Sequence, residues 1–227
     1  YQHQSNSVAD SITYFNPNYF GESNRNQNFS VLRYFFNSDH RDVIAYPLKG
    51  FQITAKYSKS GLGFGPVNLW EINASYSHFA DLGHGYYLST FTSGYISSPD
   101  NQPYSLYGAL GYRRQLVKGY EVYVIEGPRY ILNKTTLRKK IFSRTWQVNG
   151  LGIEQFQYFP LAIYLKSYLD VGYVENYAYY QQQDLNTRLS NRLLAGAGFG
   201  IDIVTAYDAV LRLEYTFTRE KTQGFFL

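Results

Sequence analysis

The sequence predicts an all-β protein, specifically an antiparallel transmembrane β-barrel. Two observations favour this prediction: apolar and polar residues alternate over many successive segments, and aromatic residues are abundant. A third observation narrows it, because no apolar stretch approaches the ~20 residues that a membrane-spanning helix requires. No helical period persists long enough to indicate an α-helical domain. Strands would therefore have to provide any membrane-spanning structure.

The clearest alternation lies in the second half of the chain. Between residues 161 and 171 one face of the predicted strand is apolar, and the other carries Lys166 and Asp170. A period of two residues is typical of a strand with one apolar and one polar face. Residues 193–203 and 209–217 repeat the pattern. In a barrel the polar face lines a lumen, whereas in a soluble β-sandwich it meets water, and the alternation alone is compatible with both.

The aromatic content favours the barrel over the sandwich. The chain has 25 Tyr and 16 Phe, and aromatic residues make up 19% of it. Transmembrane barrels place such residues in girdles at the two membrane interfaces, where an amphipathic ring suits a half-wet layer. The apolar faces of a soluble sandwich would not need so many tyrosines.

The order of elements follows from the alternating runs. Residues 1–28 are rich in Asn, Gln and Ser and are predicted to form a loop, an irregular segment or a poorly formed strand. Residues 29–227 are predicted to form the barrel strands, which Gly, Pro, Asn and Asp clusters separate. Alternating runs cover residues 51–58 and 70–77, and strand-like runs lie near 85–95, 104–113 and 129–143. The chain offers about ten candidate strands of membrane-spanning length.

Several function classes are disfavoured by composition. The formal charge of +4 comes from scattered Lys and Arg, which does not fit a nucleic-acid-binding stripe. The absence of Cys excludes disulfides, thiolate metal sites and a Cys nucleophile. The four His residues lack metal-ligand spacing and no catalytic constellation is visible, so we expect no metal, no cofactor and no enzyme activity. The absence of Met indicates a processed chain or a piece of a longer one.

One segment combines a turn with a charged pair. Arg41 and Asp42 are followed by Pro47 and Gly50, and Pro47 fixes one backbone angle while Gly50 permits an unusual one. This segment resembles the bacterial surface antigen superfamily of outer-membrane barrels, the group of BamA, TamA and the two-partner secretion transporters. Its members carry Arg-Asp and then aromatic-Pro-x-x-Gly at a strand-turn-strand.

Three further segments match that superfamily in the expected order. Lys118, Gly119 and Tyr120 resemble its Val-Arg-Gly-Phe/Tyr motif, which implies a loop around 114–128 that folds into the lumen. Asp170 and Gly172 resemble its aromatic-x-Asp-x-Gly strand, and the segments 196–200 and 211–215 resemble its penultimate hairpin. The resemblance implies a latch between the loop and the barrel wall, with a structural ion pair of Lys118 and Asp170, or no pair at all, as the alternatives. The alternating glycines at 196, 198 and 200 mark either a close approach of a loop to the wall or a flexible, curved strand.

The chain departs from the superfamily pattern at two positions. Lys118 replaces the motif's Arg, and a Lys offers a point charge instead of a planar bidentate fork. Thr136 stands where the superfamily has a Glu before Leu-Arg, which leaves Asp170 as the expected counter-charge of Lys118.

The resemblance also implies function and location. Because superfamily barrels have ~16 strands, this chain is expected to be the C-terminal part of a larger barrel, with a small closed barrel as the alternative. It implies a Gram-negative outer-membrane protein that inserts or translocates other proteins. Expected partners are outer-membrane lipids, client outer-membrane or secreted proteins, and accessory lipoproteins or other outer-membrane subunits. The alternative functions are a passive pore, a barrel anchor for an upstream domain such as a hydrolase, and a soluble binding protein.

Overall fold

A computed structural model describes residues 1–62, 67–113, 115–147, 158–206 and 209–226. Ten strands form one sheet, and a two-stranded ribbon lies beside it. The sheet strands are β1 (Gln2–Ser7), β2 (Asn26–Asp39), β3 (Gly50–Ser60), β4 (Leu69–Gly83), β5 (Tyr86–Ser98), β8 (Arg129–Gln147), β9 (Tyr158–Glu175), β10 (Leu193–Thr205), β11 (Val210–Thr218) and β12 (Gln223–Phe226). The ribbon is β6 (Ala109–Arg113) with β7 (Ile125–Glu126), and the short helices are α1 (Asp10–Phe15), α2 (Ala178–Gln182) and a 3-10 turn at Tyr104–Leu106.

Chain order and spatial order agree throughout the sheet. The strands lie in the order β1-β2-β3-β4-β5-β8-β9-β10-β11-β12, and each neighbouring pair is antiparallel. The connections therefore alternate between two ends. The long loop, residues 99–128, leaves from the same end as residues 176–192, and we call this the loop end. The β2–β3 turn, residues 40–49, lies at the opposite end with residues 84–85, and we call this the turn end.

The two faces of the sheet differ in chemistry. One face leaves large apolar side chains exposed, including Leu165, Leu169, Phe199 and Leu213, whose exposed fractions run from 42% to 59%. The other face buries Lys166, Asp170, Asp202 and Glu214. We call these the outer and inner faces. Exposed apolar residues outside and buried charges inside are the reverse of a soluble sheet, and they are the arrangement of a lipid-facing barrel wall.

The long loop supplies the apolar core on the inner face. Leu110, Val117, Tyr120 and Ile125 pack with wall residues of β8, β9 and β10, namely Tyr130, Leu132, Val174 and Leu194, and with Leu189. This loop is folded back against the inner face because its own apolar side chains have their main burial site there. Within the described residues no helix is long and apolar enough to cross a membrane.

Two local predictions differ from the structure. Residues 1–28 were expected to form a loop, an irregular segment or a poorly formed strand, whereas β1 pairs regularly with β2 from Gln2 to Ser7, and helix α1 follows. The Asn- and Ser-rich composition hid this strand, because backbone pairing at a sheet edge tolerates polar side chains. The strand-like run near 104–113 belongs to the long loop, where it forms the 3-10 turn and β6. The all-β antiparallel fold class itself is confirmed.

Candidate functional site

A tight turn at the tip of the long loop presents Lys118 to the inner face. The Tyr120 backbone N–H donates to the Val117 carbonyl at 3.1 Å, and Gly119 has φ +88°. That angle favours glycine at the third position of a turn. The Tyr120 hydroxyl donates to Glu220 and, at 3.5 Å, to the Ala195 carbonyl. The turn is thus tied to β10 and to the β11–β12 connection.

Lys118 contacts the wall through its backbone and its side chain separately. Its backbone N–H donates to Asp170 Oδ2 at 3.2 Å, whereas its ammonium pairs with Glu214 Oε1 at 2.7 Å. The ammonium also lies 3.8 Å from the centre of the Tyr168 ring, a cation–π geometry. Burial lowers the pKa of Lys118, and the nearby Glu214 opposes that shift. The structure therefore gives the ammonium a different counter-charge from the expected Asp170.

Asp170 has its own cation on the neighbouring strand. Its side chain is 1% exposed, and Lys134 Nζ lies 3.7 Å from Oδ2. The two residues are direct cross-strand partners on β8 and β9. Oδ2 of Asp170 therefore contacts both Lys134 and the Lys118 backbone N–H, and Lys134 offsets part of the cost of burying this carboxylate.

The glycines of β10 determine what can lie against the wall. A Cβ on Gly196 would overlap the Lys118 carbonyl oxygen, so the loop backbone lies directly on this residue. Gly172 on β9 has the same role for Val117, whose Cγ2 would lie 2.7 Å from an added Cβ. Of the two interpretations left open by the sequence, the structure has the close approach of a loop at Gly196.

The other two β10 glycines let side chains of β9 reach β11. Tyr168 crosses Gly198, and its hydroxyl lies 2.6 Å from Thr216 Oγ1 on β11. Lys166 crosses Gly200, which is its direct partner, and contacts Glu214. A side chain at either glycine would block these contacts. Because β10 has none there, side chains of β9 can reach β11 across it on the inner face.

Lys166 extends the charged cluster toward the turn end. Its side chain is 3% exposed, and it contacts Asp202 as well as Glu214. Asp202 also lies 3.7 Å from Arg138 Nε and accepts a 2.8 Å hydrogen bond from the Tyr46 hydroxyl. We call the set the inner-wall network: Lys118, Lys134, Arg138, Lys166, Asp170, Asp202 and Glu214. In it each buried carboxylate contacts at least one cation, which offsets the cost of burying charge.

The β2–β3 turn is built by the motif residues and presents Tyr46. Arg41 makes two hydrogen bonds to Asp39, at 2.8 and 2.6 Å, and Asp42 accepts from the backbone N–H of Leu48 at 3.0 Å. Gly50 has φ +100°, and a Cβ there would overlap the His40 carbonyl. Pro47 directly follows Tyr46, whose ring packs 5.1 Å from that of Tyr164.

The stem of the long loop is held by residues 176–192. The Tyr107 and Tyr177 rings stack with their centres 3.9 Å apart, and the Gly108 N–H donates to the Tyr177 hydroxyl at 3.0 Å. The Tyr180 hydroxyl donates to Glu126 at 2.8 Å. Sequence reasoning did not assign these tyrosines. It also did not assign Glu214, Lys166 or Asp202 a role, although their places on polar strand faces were a usable signal.

The described residues offer no site for a metal. No group of three or more His, Cys, Asp or Glu residues among them could hold an ion. The carboxylates of the inner wall are already engaged by Lys and Arg. What the arrangement can do is mechanical: it holds a loop against a wall.

Comparisons with known proteins agree with this geometry at the level of the fold. No family model matches the chain, and no curated protein matches it. A solved structure of BamA from Haemophilus ducreyi, lacking POTRA domains 1–3, is similar with a TM-score of 0.57 at 12% identity. The match covers 96% of this chain and 46% of that one, so the chain spans less than half of the BamA structure. The fold is BamA-like. The ten-stranded sheet thus corresponds to part of a barrel of that kind.

Proposed function

We propose that this chain is part of an outer-membrane β-barrel of the surface antigen superfamily that inserts or translocates other proteins without catalysing a chemical reaction. The fold similarity to BamA and the four sequence motifs support the proposal. The partners would be outer-membrane lipids at the exposed apolar face, client polypeptides, and accessory lipoproteins or other outer-membrane subunits.

The observation that carries the proposal is the long loop lying on the inner face. Lys118 is bound there through Glu214 and Asp170, and the apolar residues beside it are buried against β8, β9 and β10. In a passive pore, a loop on the inner face would narrow the channel. A barrel that must brace or rearrange its wall while a client passes has a use for an internal strut.

The inner-wall network suits a reversible contact between the loop and the wall better than a permanent one. Buried charge pairs can specify an arrangement while adding little net stability. Lys118 is the member of the network that the long loop contributes. Detaching the loop would therefore break contacts at Lys118 while the wall contacts of Lys166 with Asp202 remain.

Reconstitution of the full-length mature protein in lipid vesicles tests the function. A urea-unfolded small outer-membrane barrel serves as the client, and its folding is followed by the slower gel mobility of the folded, unboiled form. We expect faster client folding than in empty vesicles or in vesicles that contain an unrelated barrel. Ion conductance without faster client folding would identify a passive pore, and neither effect would favour an anchor for another domain.

Two variants test the latch itself. Lys118→Ala and Asp170→Ala remove the two sides of the loop anchor, and we expect slower client folding while the barrel still assembles. Arg25→Ala is the matched control, because Arg25 pairs with Asp10 at 2.9 Å on the exposed surface. Wild-type client folding in both latch variants would disprove the latch and leave the barrel assignment untouched.

A further inference from the structure

The β8–β9 hairpin extends beyond its neighbour at the turn end. β8 runs from Arg129 to Gln147, but its pairing with β5 ends where Lys139 meets Tyr86. A last hydrogen bond joins the Lys140 N–H to the Gly85 carbonyl at 2.8 Å. Ile141 is bulged, and from Phe142 to Gln147 β8 pairs with β9 alone among the described residues. This stretch is a strand edge in the middle of the sheet order, not at one of its two ends.

The pairing shows which backbone groups face outward from that edge. Thr145 lies opposite Pro160 of β9. Proline has no N–H to donate, so the pair is of the non-hydrogen-bonded kind, and the Thr145 N–H and C=O point away from β9. Because direction alternates along a strand, those of Ser143 and Gln147 point the same way. The edge therefore offers three successive donor–acceptor pairs.

A bulge and an aromatic cluster give this edge a defined shape. The register shifts between Lys140 and Phe142, which turns the following even-numbered side chains to the outer face. There the Trp146 ring lies 6.1 Å from that of Phe142 and 6.4 Å from that of Phe159. These contacts tie both strands of the extension together, so the edge keeps its extended form without a neighbour.

The extension is basic and lacks acidic residues. Residues 139–147 and 158–165 contain Lys139, Lys140 and Arg144 and no Asp or Glu. The Arg144 guanidinium lies 5.7 Å from the centre of the Trp146 ring, and no ion pair joins it to a carboxylate among the described residues. A strand added to this edge would lie beside the positive charge of Arg144, which favours acidic side chains on that strand.

We propose that the Ile141–Gln147 edge of β8 binds an extended, acidic segment of a partner polypeptide by β-augmentation. Main-chain hydrogen bonds to Ser143, Thr145 and Gln147 supply affinity, and Arg144 selects acidic side chains. The site lies at the turn end, opposite the long loop, and does not depend on the proposed function. Basic residues at a strand edge also protect proteins against self-association, and this simpler role predicts a different experimental outcome.

Labelled peptides test the site on the full-length protein in lipid nanodiscs by fluorescence anisotropy. The probe is an extended peptide of about seven residues that alternates Val and Glu, a length typical of a strand. The comparisons are the same peptide with Lys for Glu, and the Glu peptide with N-methylated backbone amides. We expect the unmodified Glu peptide to bind most tightly. Equal binding of the N-methylated peptide would overturn the proposal, because that peptide cannot form the ladder.

Two variants locate the binding on β8. Thr145→Pro removes one edge donor without touching the β8–β9 ladder, and we expect the dissociation constant of the Glu peptide to rise about fivefold, as for one lost hydrogen bond. Thr145→Ala keeps the donor and should bind as wild type. Arg144→Glu should reverse the preference between the Glu and Lys peptides. The proposal would be overturned if Thr145→Pro and Arg144→Glu bound the peptides as wild type does and Arg144→Glu self-associated. The basic residues would then serve to prevent self-association at this edge.

Discussion

Two segments reach the same inner wall from opposite ends of the sheet, and they are held in different ways. The long loop presents Lys118, which forms an ion pair and a backbone hydrogen bond and lies beside a buried apolar cluster. The β2–β3 turn presents Tyr46, which packs on Tyr164 and makes one hydrogen bond, to Asp202. One anchor is charged and the other is neutral.

The difference shows how much each segment depends on the inner-wall network. Removing one member of a buried ion pair leaves an uncompensated charge, whereas removing one hydroxyl leaves a carboxylate that still has its cations. Lys166 links the two anchors, because it contacts both Glu214 beneath Lys118 and Asp202 beneath Tyr46. We therefore expect a large loss of stability, confined to the long loop, when the Lys118 anchor is broken. We expect a small loss, confined to the β2–β3 turn, when the Tyr46 anchor is broken.

The largest effect on stability is expected from adding a side chain at Gly196, where the loop backbone packs on β10. Gly196→Val would drive a side chain into the Lys118 carbonyl, and a backbone atom has little room to retreat. We expect a loss of about 3 kcal/mol or more in the free energy of unfolding, or a loop that no longer docks. Urea unfolding and the rate of trypsin cleavage in the long loop measure the two possibilities.

A matched glycine makes that experiment interpretable. Gly94 lies on β5, and the nearest atom to an added Cβ, the Tyr130 carbonyl oxygen, is 4.0 Å away. Gly94→Val should therefore leave cleavage of the long loop unchanged. If both variants expose the long loop to trypsin equally, the effect comes from valine in a strand, and close packing of the loop on Gly196 is not its cause.

The second effect concerns the charge on which both lysines depend. Glu214→Ala leaves Lys118 and Lys166 without their shared carboxylate, and we expect a loss of about 2–4 kcal/mol. Trypsin should cut the long loop faster and the β2–β3 turn at the wild-type rate. The double variant with Lys118→Ala should recover part of the stability, because one of the unpaired cations is gone. Additive losses in the double variant would refute the ion pair as the loop anchor.

The third effect should stay within the turn. Tyr46→Phe keeps the ring and removes the hydroxyl that donates to Asp202, at an expected cost of about 1–2 kcal/mol. Tyr87→Phe is the control, since Tyr87 packs in the same cluster and its hydroxyl has no partner among the described residues. Non-additivity of Tyr46→Phe with Lys118→Ala would show that Lys166 couples the anchors.

The fold followed from the sequence because its two signals are properties of local sequence. Alternation around Lys166 and Asp170 and the abundance of aromatic residues predicted strands with a polar inner face, and that is the observed sheet. Strand β1 was expected at most as a poorly formed strand, since edge pairing leaves little mark on side-chain composition. The 104–113 run was misplaced because a loop that packs inside a barrel is as apolar and aromatic as a strand.

The site was harder to predict because it depends on contacts across strands. Lys118 and Asp170 come together, but the partner of the Lys118 ammonium is Glu214, 96 residues away. That choice depends on Gly200, which lets charges of β9 and β11 meet across β10. The glycine alternation was visible in the sequence, whereas the register that places Gly200 between Lys166 and Glu214 was not.

The smallest effect should arise where the turn holds itself. Arg41 binds Asp39 two residues away with a two-pronged contact, and neither side chain reaches the inner-wall network. Arg41→Lys keeps the charge but cannot form both hydrogen bonds, so we expect only a small loss in the free energy of unfolding, as for a surface pair. Neither Tyr46 nor the long loop should move, and trypsin cleavage near Lys118 should match wild type. Faster cleavage near Lys118 would mean that the conformation of the turn affects the loop without any change at the Tyr46 hydroxyl. The contrast between the two anchors would then fail.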